Sequence, residues 1–143
     1  MINARKLGRI FQFRVPPGED LYEYLSAFCI NRRIRFGAIT AIGAVSKATI
    51  GYYDQKGKKY FKTVLQEELE IVSCNGNVSL KEGKPFLHLH IALSDTKLYT
   101  YGGHLFPGSV VFVAEATIQE FKGKPLVRNL DQAAGLPLWP CER

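Results

Sequence analysis

The chain contains three histidines, and all of them fall between residues 88 and 104. His88 and His90 stand two apart in PFLHLHIALSD (85–95), and His104 follows in YGGHLFPG (101–108). Neutral imidazole is a ligand for zinc and other first-row metals. Three imidazoles with one position left vacant make the donor set of many catalytic zinc sites. In a β-strand, residues i and i+2 share a face. His88 and His90 then lie on one side with Phe86 and Ala92, about 7 Å apart along the strand. Leu87, Leu89, Ile91 and Leu93 form an apolar stripe on the other side.

A three-residue loop at Asp95-Thr96-Lys97 predicts a hairpin with Ser94 opposite Leu98, His90 opposite Gly102 and His88 opposite His104. That register puts all three imidazoles on one face. A slip of one residue would turn His104 towards the core. The competing reading, histidines hydrogen-bonded as ordinary polar groups, loses weight when three of them converge. The expectation is therefore one divalent transition metal, with zinc best suited, held by His88, His90 and His104. Water or a carboxylate completes the shell, and Glu115 in the next long strand is the nearest carboxylate candidate. Its alternative role is an outward-facing strand residue or a hydrogen-bond partner of a ligand imidazole.

Other chemistry is less well supported. The H-x-H pattern invites comparison with cupins, but the IALSDTK that follows lacks the glutamate those sites need. Ser46, Ser73 and Ser109 sit in strand-like contexts without a nucleophile elbow. Cys74 needs a neighbouring base that spacing does not reveal. Gly37, Gly43 and Gly51 do not follow the spacing of a phosphate-binding loop.

The elements that must position the histidines are legible from periodicity. RIFQFRV (9–15) alternates, with Phe11, Phe13 and Val15 on one face. EDLYEYLSAFCINRR (19–33) repeats Leu21, Leu25, Phe28 and Cys29 at helical spacing, with Glu19 and Asp20 at its start. FGAITAIGAVSKATIGYYD (36–54) predicts two strands with a glycine-bearing bend or bulge between them. KKYFKTVL, LEIVSCNGNVSL, the histidine strand (86–94), LYTYGGHL (98–105) and SVVFVAEATIQEF (109–121) read as further strands. Asn75-Gly76 is a turn signal or a bulge within a strand run. The tail ending in LPLWP has little periodicity. One strand, one helix and then many strands imply an α+β fold, a largely antiparallel sheet with one main helix packed on it.

Length, charge and cysteine use bound the rest. The 143 residues fit a single domain, 1–143, with a core of its own. No apolar run has the length of a membrane span, and the N-terminal stretch lacks the pattern of a signal peptide. The cytoplasm is the expected compartment. Cys29, Cys74 and Cys141 are an odd set without C-x-x-C, which reads as free thiols. The net charge of +6 permits an acidic partner. However, the basic clusters RRIR (32–35) and KGKK (56–59) read first as a helix end and a solvated turn.

GEDLYEYL, GAITAIGAVSKATIGYYD, EELEIVSCNGNVSL, PFLHLHIALSD and YGGHLFPGSVVFVAEATIQEF, in that order, resemble the PPC (plants and prokaryotes conserved) domain. The resemblance runs from about residue 9 to residue 131. It implies an α+β subunit assembled as a homotrimer, with the H-x-H and G-G-H histidines, here His88, His90 and His104, as a metal site in some members. Plant members carry an AT-hook and belong to nuclear DNA-binding proteins, but no R-G-R-P core occurs here. DNA binding is accordingly expected to be weak and non-specific. The expected function is that of a metal-binding homotrimer with room for a small molecule at the metal. The alternatives are a metal-dependent hydrolase or lyase, or a DNA-associated protein using a basic trimer surface.

Overall fold

The computed structural model describes residues 4–141. Its elements are β1 (Lys6–Val15), α1 (Leu21–Asn31), β2 (Gly37–Asp54), β3 (Lys59–Leu65), β4 (Leu69–Lys81), β5 (Lys84–Ser94), β6 (Thr100–Leu105), β7 (Val110–Lys122), β8 (Val127–Asp131) and β9 (Leu136–Leu138). The sheet runs β1-β7-β2-β6-β5-β4-β8-β9, and β4 also pairs with β2. The path from β2 through β6, β5 and β4 therefore returns to β2, and the sheet closes on itself around an apolar interior. Leu87, Leu89, Ile91 and Leu93 of β5 are all buried there, as the alternating pattern requires. The α+β class with a mostly antiparallel sheet holds. Among the described residues the one parallel pairing is β4 with β8.

The helix lays Leu21, Leu25 and Cys29 into the core, each fully buried. Burial of one such leucine contributes about 1.5–3 kcal/mol. Phe28 stacks on Phe13 of β1 with ring centroids 4.2 Å apart and meets Phe11 edge-on at 5.4 Å. The helix is shorter than its periodicity predicts because Asp20 caps it instead of joining its first turn. The Asp20 Oδ1 accepts the Glu23 N–H at 2.9 Å, and Oδ2 accepts the Gly108 and Ser109 N–H groups at 2.5 and 2.9 Å. One carboxylate thus fixes both the helix start and the loop that follows β6.

Three sequence readings are corrected or sharpened. Residues 37–54 form one strand, not two. At Gly43 (φ +141°) the pairing with β4 shifts register, and a Cβ there would collide with the Val113 carbonyl oxygen. This glycine bulge bends β2 without breaking it, so residues 37–45 lie between β7 and β4 while residues 48–54 pair with β3. Of the two readings of Asn75-Gly76, the turn is removed and the strand run holds, with no bulge at this pair. Both residues are paired inside β4, with His90 and Leu89 opposite them. The tail, despite its weak periodicity, forms strands, because β8 adds to the edge of β4 and β9 pairs with β8.

Candidate metal centre

β5 carries His88 and His90, and β6 carries His104 on the same side of the sheet. The expected register is off by two residues. Ser94 pairs with Thr100, and His90, not His88, lies opposite His104. The connection spans five residues because Asp95 organises it. Its carboxylate accepts the Lys97 and Tyr99 N–H groups at 2.8 and 3.0 Å, and Leu98 takes a positive φ of 65°. A shift of two residues preserves the face of every side chain, so the convergence survives the error.

Gly76 sets how closely β4 approaches this strand. A Cβ at that position would strike the carbonyl oxygen of His88, which only glycine avoids.

The three imidazoles form a triangle, with one ligand nitrogen from each lying within 4.8 Å of the others. The Nε2 atoms of His88 and His90 are 3.2 Å apart. Two nitrogens bound to one tetrahedral zinc at ~2.0–2.1 Å stand about 3.3 Å apart, so this pair already has the required spacing. Ring centroids are 5.2 Å apart for His88 and His104, and 5.6 Å for His90 and His104. The Nδ1 of His104 is buried without a hydrogen-bond partner. An unspent buried nitrogen is costly, and a ligand that engaged it would remove the cost.

Burial, then the positive charge of Arg128 and the neighbouring His90, lowers His88 to about 4. Burial, followed by the charges of His88 and His90, lowers His104 to about 4 as well. Both rings are thus neutral at physiological pH, which is the ligating form.

Aromatic rings hold His104 in place. Tyr60 of β3 and Phe106 lie 5.0 and 4.6 Å from its ring centroid. A cavity of about 270 Å³ opens beside His88 and His104, walled by Tyr22, Phe86, Phe106 and the tail residues Leu136–Leu138.

Arg128 of β8 also faces this cavity, and no sequence pattern pointed to it. In VRNLD the charged residue is 6% exposed while Val127 and Leu130 are 40% and 63% exposed, the inverse of the usual ordering. Its Nε donates to Ser79 Oγ at 2.8 Å, Nη2 to Asn77 Oδ1 at 2.9 Å and Nη1 to the Pro137 carbonyl at 3.1 Å. Ser79 and Asn77 are the cross-strand partners of Phe86 and His88, which brings the guanidinium to the histidine face.

The remaining candidates do not join the site. Glu115 is an exposed β7 residue opposite Ile42, whereas His104 lies opposite Gly51, nine positions further along β2. At ~3.3 Å per residue it is out of reach as a ligand, and the carboxylate expectation is withdrawn. Cys29 and Cys74 are buried, which pushes both thiols up to about 12 and leaves them protonated. Ser109 is spent structurally, its Oγ accepting the Thr49 N–H at 3.0 Å.

Comparison with known proteins agrees with this architecture. A structure from Pyrococcus horikoshii, a plant- and prokaryote-conserved (PPC) protein, superposes with a TM-score of 0.94 at 39% identity, covering 100% of this chain and 99% of that one. The Archaeoglobus fulgidus structure, described as a metal-containing protein, gives 0.91 at 41% identity over 98% and 99% of the two chains. A candidate DNA-binding protein from Bacteroides thetaiotaomicron gives 0.86 at 25% identity over 99% and 100%. The chain spans about a fifth of the length of the curated relatives it matches. One is the bifunctional protein GlmU of Synechococcus sp. (strain JA-2-3B'a(2-13)), 30% identical over 92% of this chain and 22% of the relative. The model of the Plants and Prokaryotes Conserved (PCC) domain matches residues 2–122, and with this fold and this placement of β5 and β6, the chain belongs to that family.

Proposed function

We propose that this chain is a single-domain, metal-binding protein that assembles as a homotrimer and holds one divalent transition metal between His88, His90 and His104. The 3.2 Å separation of the His88 and His90 Nε2 atoms carries the reading, together with the third nitrogen within 4.8 Å. Three imidazoles, two of them held neutral by burial, suit zinc best, and with Glu115 excluded water would fill the open position. A metal bound there supplies a Lewis acid beside the cavity. The chain's own contribution is to orient the three imidazoles and to hold those of His88 and His104 neutral and partly shielded from water. Elemental analysis of the purified protein should find about one zinc per chain, and the His88→Ala variant should lose it. Equal metal content in the variant would refute the site.

A second reading, a metal-dependent hydrolase or lyase, is favoured by the cavity alone. Among the described residues no Asp or Glu lines it, so no carboxylate base faces the histidines, and binding without turnover is the better account.

Self-association is supported by exposed apolar side chains. Leu98 and Phe112, 82% and 68% exposed, line one hollow on the surface. Sedimentation equilibrium should give about three times the 16.1 kDa chain mass, and a monomer would remove the trimer. Binding to duplex DNA should be weak, independent of sequence and steeply reduced by salt. No helix among the described residues is long and apolar enough to cross a membrane.

A further inference from the structure

Arg128 is more than nine-tenths buried, yet no carboxylate among the described residues pairs with it. Its three bonds go to a hydroxyl, an amide oxygen and a backbone carbonyl, all neutral. A guanidinium has five N–H donors, so one N–H remains on each terminal nitrogen. The faces of Phe86 and Trp139, with centroids 5.4 and 5.0 Å from the guanidinium carbon, soften the isolation of the charge without neutralising it. A neutral side chain would clamp the tail to β4 at less desolvation cost. A buried cation with two donors left over, on the wall of a cavity, is instead the arrangement that receives an anion.

We propose that the cavity beside the histidines takes a small organic monocarboxylate. Its carboxylate sits on the remaining Arg128 N–H groups, and its apolar or aromatic body lies against Phe86, Tyr22, Leu136 and Leu138. In the metal-free cavity the single positive charge, that of Arg128, matches a monoanion. The mostly apolar wall matches a carbon body better than a hydrated inorganic ion, and about 270 Å³ limits the guest to a few carbon atoms or one ring. The assignment deepens the metal-site reading by naming a ligand class for the same cavity, but Arg128 is not among the proposed metal ligands. Arg128 and the tail lie beyond the family match at residues 2–122, so the ligand preference would be a property of this chain's last strands.

The test is fluorine NMR titration of the EDTA-stripped protein with para-fluorobenzoate and, separately, with its neutral isostere para-fluorobenzamide. Benzoate should bind, benzamide should bind about tenfold or more weakly, and Arg128→Gln should remove the preference. Leu136→Trp, which fills the cavity and leaves Arg128 in place, should abolish binding of both and guards against a folding defect in the first variant. Equal binding of acid and amide would overturn the proposal. So would benzoate binding that appears only after zinc is restored and is indifferent to Arg128→Gln, and that result would leave the metal reading intact. Conversely, a protein that takes up no zinc but still prefers benzoate through Arg128 would refute the metal site and keep this one.

Discussion

Two polar regions on this sheet differ in how their charges are treated. On the outer face of β1, β7 and β2 a groove is lined by Gln12, Arg14, Thr40, Glu115 and Thr117. Arg14 and Glu115 lie opposite each other across β1 and β7, and the Gln12 amide donates to Thr117 Oγ1 at 3.4 Å. Its charged groups are exposed, and water can satisfy each of them. At the β5–β6 cavity the polar groups are fewer but desolvated, with two imidazoles half-buried, a guanidinium almost wholly so, and the His104 Nδ1 unpaired. The groove is the larger hollow, but only the second region holds groups whose hydrogen-bonding and charge requirements are unmet in the folded chain. That difference in desolvation, not size, marks a site.

The comparison is broken most severely at Gly76. Gly76→Ala drives a methyl into the His88 carbonyl, so β4 and β5 must part where the histidines stand. Overpacking of this kind costs about 1–3 kcal/mol, and metal content should fall with it. Denaturant melts of the variant, with elemental analysis of its folded fraction, check both. A variant as stable as the parent that keeps its metal would show that the close approach does not position the site.

Removing a single imidazole should matter nearly as much for the metal and less for the fold. His90→Ala and His104→Ala should each weaken zinc affinity by more than about a hundredfold, read by competition with a chromophoric chelator. A groove substitution such as Thr117→Ala should leave affinity unchanged. If both regions responded alike, the distinction between them would fail.

Acid sharpens the comparison at an intermediate level. His88 and His104 have folded pKa values of about 4, below the ordinary 6.5. Between those values the unfolded chain binds more protons than the folded one, so stability rises with pH across the window. The metal-free protein should therefore lose stability as pH falls from about 6.5 towards 4. Their contribution is fully present only above 6.5. The His88→Ala/His104→Ala double variant should show a flatter profile of melting temperature against pH. An unchanged slope would mean that the two rings are not shielded as described.

The smallest effect belongs to Glu115. Glu115→Gln should leave zinc content unaltered and change stability by no more than about 0.5 kcal/mol. A loss of metal would return this carboxylate to the site and require β7 to reach β6 by a route absent here.

Alternation alone determined the essential feature of the candidate centre. His88 and His90 face one way and Leu87, Leu89, Ile91 and Leu93 the other, because successive residues of any strand point to opposite sides. The same parity rule brought His104 to that face even though the hairpin connection is two residues longer than expected. The helix was equally legible, since Leu21, Leu25 and Cys29 follow its period. Register was not, because the pairing of His90 with His104 depends on Asp95 gathering two backbone N–H groups into a five-residue turn. Nor was Asn75-Gly76, whose glycine serves close strand approach and whose local signal is indistinguishable from a turn. The role of Arg128 belongs wholly to the tertiary structure. A charged residue in a weakly patterned tail becomes buried because β8 adds in parallel to β4, and that pairing joins residues 47 positions apart (Leu80 and Val127) through backbone groups common to every amino acid.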